Sequence, residues 1–267
     1  MNQKAMNKTI AIARAKFMWG QYDLINKWAL ELEEYAKNLG YNVIDISGSD
    51  LTYERITEIL TQTKPSILFN FTLGTKECLI GDFIDGGPIK CALTPGNSRP
   101  SNLGVLKSMA VVAYSCYSAG RLGEKMIQAV CLVVVGFSEE VIVMSPFPES
   151  NAHEIHKECL LSLAKRILEG YTIGKAIDAT RKQLLDAMED NIHDTDLCEA
   201  LVFNKRSLRM LGDYSWKLEP PIVDDKRGVK NMKQISKAIG LLVVFALLVT
   251  AASATAQAKP ELSTDKI

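Results

Sequence analysis

The stretch "VVAYSCYSAGRLGEKM", Val111 to Met126, decides how the chain is read. An apolar β-branched run closes on a serine and a cysteine, small residues turn the chain, and a helical pattern follows. That is a buried strand feeding a helix. It places one thiol, Cys116, at the mouth of the strand. The same layout serves a nucleophile or an ordinary strand-to-helix turn, and the rest of the chain decides between them.

Working outward, strand and helix alternate on both sides. "TIAIARA" from Thr9 to Ala15 predicts a first strand. Leu24, Trp28, Leu32, Tyr35 and Leu39 then recur at helical spacing until Gly40 stops them. Asn42 to Ile46 predicts a second strand, and Asp50 is placed to cap a short helix carrying Ile56, Ile59 and Leu60. Ser66 to Thr72 predicts a third strand. The Gly-, Pro- and Asn-rich stretch from Gly74 to Ser101 predicts a long loop or hairpin region, and its part from Cys78 to Pro100 is read as a specificity or partner loop or as a poorly ordered insert. The fourth strand is Met109 to Ser115, its helix is Ala119 to Ala129, and a fifth strand follows from Val130 to Gly136. Val141 to Met144 is marked as a further strand. After Pro148 the pattern is helical: one helix capped by Ser150 and stopped by Gly170, one starting at Thr172, and one over Asp196 to Met210. Pro220 and Pro221 close the globular part.

Strands of near-continuous apolar residues alternating with helices predict an α/β three-layer sandwich, a mostly parallel sheet with helices on both faces. The organisation expected is a globular domain over 1–217, a basic linker over 218–237, a transmembrane helix over 238–258 and a short tail over 259–267. The chain has 267 residues, with 31 basic and 31 acidic side chains. That balance gives no strong field toward nucleic acid, so no nucleic-acid partner is expected. The six cysteines show no CxxC or zinc spacing, and they are read as free thiols in a reducing compartment.

Chemistry in open α/β sheets gathers at the carboxyl ends of the strands. The first crossover, "RAKFMWGQ" from Arg14 to Gln21, has no glycine-rich phosphate loop. That disfavours a nucleotide site and a flavodoxin-like ligand-binding signalling domain, and no cofactor is expected. The third strand ends in "FTLGTKECLIG" (Phe71 to Gly81) and the fourth in "YSCYSAG" (Tyr114 to Gly120), ends that neighbouring strands hold side by side.

These residues, with "SCYSAGRLGEKMIQAVCLVVVGFSEEV" (Ser115 to Val141), "ILEGYTIGKAIDATRKQL" (Ile167 to Leu184) and "ALVFNKRSLRMLGD" (Ala200 to Asp213), resemble the caspase-like cysteine peptidases, including the gingipain-like and CHAT-type families. The resemblance spans Thr9 to Asp213. It implies a caspase-like fold, Cys116 at the nucleophile position, and Gly74, Ser115 and Tyr117 in the loops that frame the oxyanion pocket. In those families the third strand ends in a His-Gly pair whose histidine exchanges the thiol proton. Here Thr75 and Lys76 stand at those two places. By resemblance the chain has half a dyad, a nucleophile position without its base. It reads as a pseudopeptidase that binds protein or peptide, or as an active cysteine endopeptidase with a rearranged base.

Each residue also has a plainer reading. Cys116 is either a thiolate steadied by a helix starting near Ser118 or an inert buried cysteine. Lys76 is a base of depressed pKa or a solvated loop lysine. The three histidines, His153, His156 and His193, all fall on or between late helices. "HEIHKEC" sets His153, His156 and Cys159 three residues apart; the expectation is no metal site but a helix beginning to bury. "EDNIHDTD", Glu189 to Asp196, reads as a polar linker between helices.

The segment from Ala238 to Ala258 carries no charge. Its length as a helix, at about 1.5 Å per residue, is about 30 Å, the hydrocarbon thickness of a membrane. Lys226, Arg227, Lys230, Lys233 and Lys237 precede it, a bias that places the globular part in the cytoplasm on a single-pass protein; without a true anchor the chain is cytoplasmic and soluble. From Met232 the same residues also look like a secretory signal peptide with an Ala-x-Ala site, which leaves open a joined reading frame or a cleaved tail.

Overall fold

The computed structural model describes residues 8–16, 21–81, 90–96, 99–144 and 151–221. Two compact units divide the chain, Met1–Ile222 and Val223–Ile267. The second lies outside the described residues, and with it the expected membrane segment at 238–258. Among the described residues no helix is long and apolar enough to cross a membrane.

Eight strands and six helices run in the order β1 (Thr9–Arg14), α1 (Gln21–Asn38), β2 (Asn42–Ser47), α2 (Tyr53–Thr63), β3 (Ile67–Phe71), β4 (Leu79–Ile80), β5 (Cys91–Leu93), β6 (Ala110–Ala113), α3 (Arg121–Gln128), β7 (Val133–Phe137), α4 (Ala152–Leu168), α5 (Ile173–Asp190), α6 (Thr195–Ser207) and β8 (Leu208–Gly212) among the described residues. The main sheet has the order β2-β1-β3-β6-β7-β8. Its first five strands are parallel, and β8 returns antiparallel along β7, with Phe137 opposite Leu208.

Successive residues of each strand enter opposite cores, as the two-residue period of a strand requires. Ile10, Ile12, Phe69, Val112 and Val135 face one core with α1, α4, α5 and α6 residues such as Trp28, Leu160, Ile177 and Leu201. Ala11, Ala13, Leu68, Val111 and Val134 face the other, with Ile56 and Leu60 of α2 and Leu122 and Met126 of α3. Helices therefore cover both faces of a mostly parallel sheet.

Four local expectations are corrected. Thr52, not Asp50, caps α2, its hydroxyl accepting the Arg55 N–H at 3.3 Å, while Asp50 pairs with the Arg55 guanidinium at 3.1 Å. The helix drawn to Met210 ends at Ser207: Leu208 is buried and Arg209 exposed, a change to strand alternation that forms the sheet edge. Because β8 occupies the place beside β7, Val141 to Met144 forms no strand. Two of the cysteines read as free are joined, Cys78 to Cys91, clamping the β4–β5 hairpin. Thr172 does cap α5, accepting from Lys175 N–H at 3.3 Å; the α4 cap expected at Ser150 lies outside the described residues.

Candidate functional site

The site is built where β3 and β6 end together. Asn70 lies opposite Ala113, and Tyr114 N–H donates to Asn70 O at 2.8 Å, carrying the pairing past the formal end of the strands. Beneath the turn sits a buried polar cluster. Asn70 Nδ2 donates to Ser115 Oγ at 2.7 Å and to Thr72 Oγ1 at 2.9 Å, and Ser115 Oγ donates to Thr72 O at 2.7 Å. Buried polar groups satisfied in this way fix the relative height of two strand ends. Ser115 is thus a strut under the site.

Gly74 lies against the Cys116 backbone. A Cβ there would stand 2.1 Å from Cys116 O, so a side chain at 74 has no room. Thr75 comes next, in the turn after β3, and its hydroxyl belongs to that local turn. It accepts the Glu77 and Cys78 N–H groups at 3.1 and 3.0 Å, and Thr75 N–H donates to Cys78 O at 2.9 Å. This is a side-chain turn. It explains a threonine here better than any proton-transfer role. The Lys76 ammonium lies 5.3 Å from the centre of the Tyr117 ring, a cation–π distance.

Cys116 is half-buried. The helix expected to start near Ser118 starts at Arg121, and turn residues separate it from the thiol. The donor that meets the sulfur comes from elsewhere: Val141 N–H lies 3.3 Å from Cys116 Sγ. Burial pushes the thiol pKa above its ordinary value; the Val141 bond pulls it down and the Glu140 charge pushes it up again. Tyr117 holds a left-handed backbone, φ 57°, and its hydroxyl donates to Glu140 at 3.1 Å. Ser118 is fully buried; its hydroxyl donates to Ser115 O at 2.7 Å and accepts the Phe137 N–H at 3.2 Å, tying the turn to β7. An Arg121–Glu77 ion pair at 2.9 Å joins the start of α3 to the Thr75 turn.

Among the described residues no histidine ring reaches Cys116 Sγ. His153 Nδ1 lies 2.9 Å from Met144 O, His156 Nε2 lies 2.8 Å from Asn204 Nδ2, and His193 is exposed between α5 and α6. No group of three or more His, Cys, Asp or Glu side chains among the described residues is arranged to hold a metal ion. Cys159 Sγ is directed at Gln183 O, 3.9 Å away.

Two contributors went unread in the sequence: the backbone of 139–144, which walls the thiol, and Asn204. A backbone donor leaves no mark in a sequence. Asn204 does, because it stands on the apolar stripe of α6 with Leu197, Ala200 and Leu201, where a polar side chain has to have a buried partner.

No family model matches this chain, and no curated protein does. Solved structures similar to it include two of cysteine proteinases. One is the Arg-specific cysteine proteinase gingipain R, with a TM-score of 0.49 and 12% identity over 82% of this chain and 49% of that one. The other is the complex of Porphyromonas gingivalis RgpB pro- and mature domains, with a TM-score of 0.47 and 10% identity over 82% of this chain and 50% of that one. The chain spans about half the length of these proteins.

Proposed function

We propose that this chain is a caspase-like pseudopeptidase, a module that binds a protein or peptide at the Cys116 pocket and is anchored to a membrane through residues 238–258. The observation that carries this reading is the setting of Cys116. A nucleophile-like thiol stands at the end of a central strand, its pKa is raised rather than lowered, and the neighbouring strand ends in a threonine whose hydroxyl is engaged in its own turn. Peptide hydrolysis needs a thiolate and a group that returns a proton to the leaving amine. General acid–base help is worth about 10²- to 10⁴-fold, and a pocket without it retains shape and hydrogen-bonding groups for binding. Gly74, Ser115 and Tyr117 contribute that shape.

The test is retention of peptides from a degenerate library by the full chain, compared with the chain whose Cys116 carries a bulky maleimide. Peptides held by the first and lost by the second support the reading. Equal retention by both removes the Cys116 pocket from the function, and Cys116-dependent cleavage replaces the reading with an active endopeptidase. Two features bear on placement. The lysines before residue 238 favour a cytoplasmic domain, and the Cys78–Cys91 disulfide favours an oxidising compartment. A topology reporter fused after Ile267 decides: activity outside the cytoplasm supports the charge rule, and activity inside favours the disulfide. A chain recovered wholly in the soluble fraction removes the anchor.

A further inference from the structure

Asn204 is fully buried in the last turn of α6 and serves three partners. Its Oδ1 accepts the Ile142 N–H at 3.0 Å, its Nδ2 donates to Ile142 O at 2.8 Å, and Nδ2 lies 2.8 Å from His156 Nε2. A side-chain amide that engages both polar groups of one residue does what a strand partner does. Its orientation follows from the inventory of donors. A backbone N–H only donates, so the amide oxygen faces it; the NH₂ group then faces Ile142 O and His156, and His156 Nε2 accepts. The His156 proton therefore sits on Nδ1, and the ring is neutral.

Ile142 is next in sequence to Val141, whose N–H meets Cys116 Sγ at 3.3 Å. The same wall is held at its ends by Tyr117 N–H on Glu139 O at 2.7 Å and by the His153–Met144 contact at 2.9 Å, with Val143 and Met144 buried beneath it. We infer that Asn204 is the positioning residue of the Cys116 pocket: it latches the 141–144 backbone over the sulfur, and His156 is the buried acceptor that fixes the latch. The inference rests on the reading of the Cys116 pocket as the functional site. Asn204 does not touch the thiol; it acts through Ile142 and Val141.

The latched wall lies against a muted thiol. Burial is the first cause that holds its pKa up, the Glu140 charge adds to it, and the Val141 N–H opposes it. Release of the 141–144 backbone lets water reach the sulfur, so the thiol becomes easier to ionise and easier to reach, while Glu140 stays tied to Tyr117.

The experiment follows iodoacetamide alkylation of each cysteine by peptide mass in the full chain, across pH, for wild type, Asn204→Leu, His156→Leu and His156→Gln. The glutamine oxygen can accept the Asn204 N–H in place of Nε2. A lowered midpoint raises the thiolate fraction below it, and weaker intrinsic nucleophilicity partly offsets the gain, so a tenfold gain in thiolate gives about threefold faster labelling. Asn204→Leu and His156→Leu are expected to show that gain at Cys116, with buried Cys131 and Cys159 still unlabelled, and His156→Gln is expected to stay at the wild-type rate. An unchanged Cys116 rate and midpoint in both leucine variants overturns the inference. So does parallel labelling of Cys131 and Cys159, which marks general unfolding. Should Asn204→Leu alone unfold, the two His156 variants carry the comparison. Alkylation is read without any peptide, so this result stands apart from whether the pocket binds one.

Discussion

His156 makes acid stability a sharp test of the buried latch. Its ring is completely buried, and burial first, then the nearby His153, pushes its pKa from 6.5 down to about 4. A base whose folded pKa is depressed binds its proton more readily when unfolded. Its contribution is therefore present above pH 6.5 and is lost as pH falls from there toward 4. The full loss over that window is about 3 kcal/mol, and about 2 kcal/mol of it is gone by pH 5. Carboxylates also respond to acid. Burial alone would raise Glu31, but hydrogen bonds and charge from Lys165 and Lys157 outweigh it and hold the group below its ordinary value. Comparison with His156→Gln cancels such terms. Urea unfolding at pH 7 and pH 5, followed by tryptophan fluorescence, is expected to show the wild type losing about 2 kcal/mol more than the variant over that interval. Parallel losses in the two proteins would mean that His156 charges in the folded state without penalty.

Other outcomes follow from the strand ends. Gly74→Ala forces a Cβ within 2.1 Å of Cys116 O and is expected to cost about 2–3 kcal/mol in urea unfolding; an unchanged midpoint would mean the two strand ends do not approach so closely. Ser115→Ala removes a partner from Asn70 and from Thr72 O, and an expected loss of about 1–2 kcal/mol is checked the same way. Cys91→Ser opens a loop of sequence separation 13, with an expected cost of about 3 kcal/mol, and reducing agent is expected to bring wild type to the variant's stability; insensitivity to reductant would argue against the disulfide.

The layered α/β fold was legible because its signals are local. Val111, Ile12 and Val135 belong to unbroken apolar runs that only a sheet covered on both faces buries, and Leu24, Trp28 and Leu32 mark α1 by period alone. Leu208–Gly212 misled because it continues the apolar pattern of α6; only its place beside β7 makes it a strand. Cys78 and Cys91 come together through a hairpin whose register no spacing rule foretells. At the site, the side-by-side ends of β3 and β6 were readable from the order of strands, and with them the closeness of Gly74 to Cys116. The Val141 N–H and the His156–Asn204 pair depend on where a strandless segment lies after β7, which is a tertiary fact.

Whether Cys116 stands without a working base is read from turnover. The full chain and its Cys116→Ala variant are incubated with a degenerate peptide library, and new termini are counted by mass spectrometry. The structure predicts that the two digests are indistinguishable, although wild-type Cys116 still accepts an alkylating probe, and that Thr75→His alone adds little turnover because Lys76 still flanks it. Robust cleavage by wild type that vanishes in Cys116→Ala would contradict this and show that another group moves the proton.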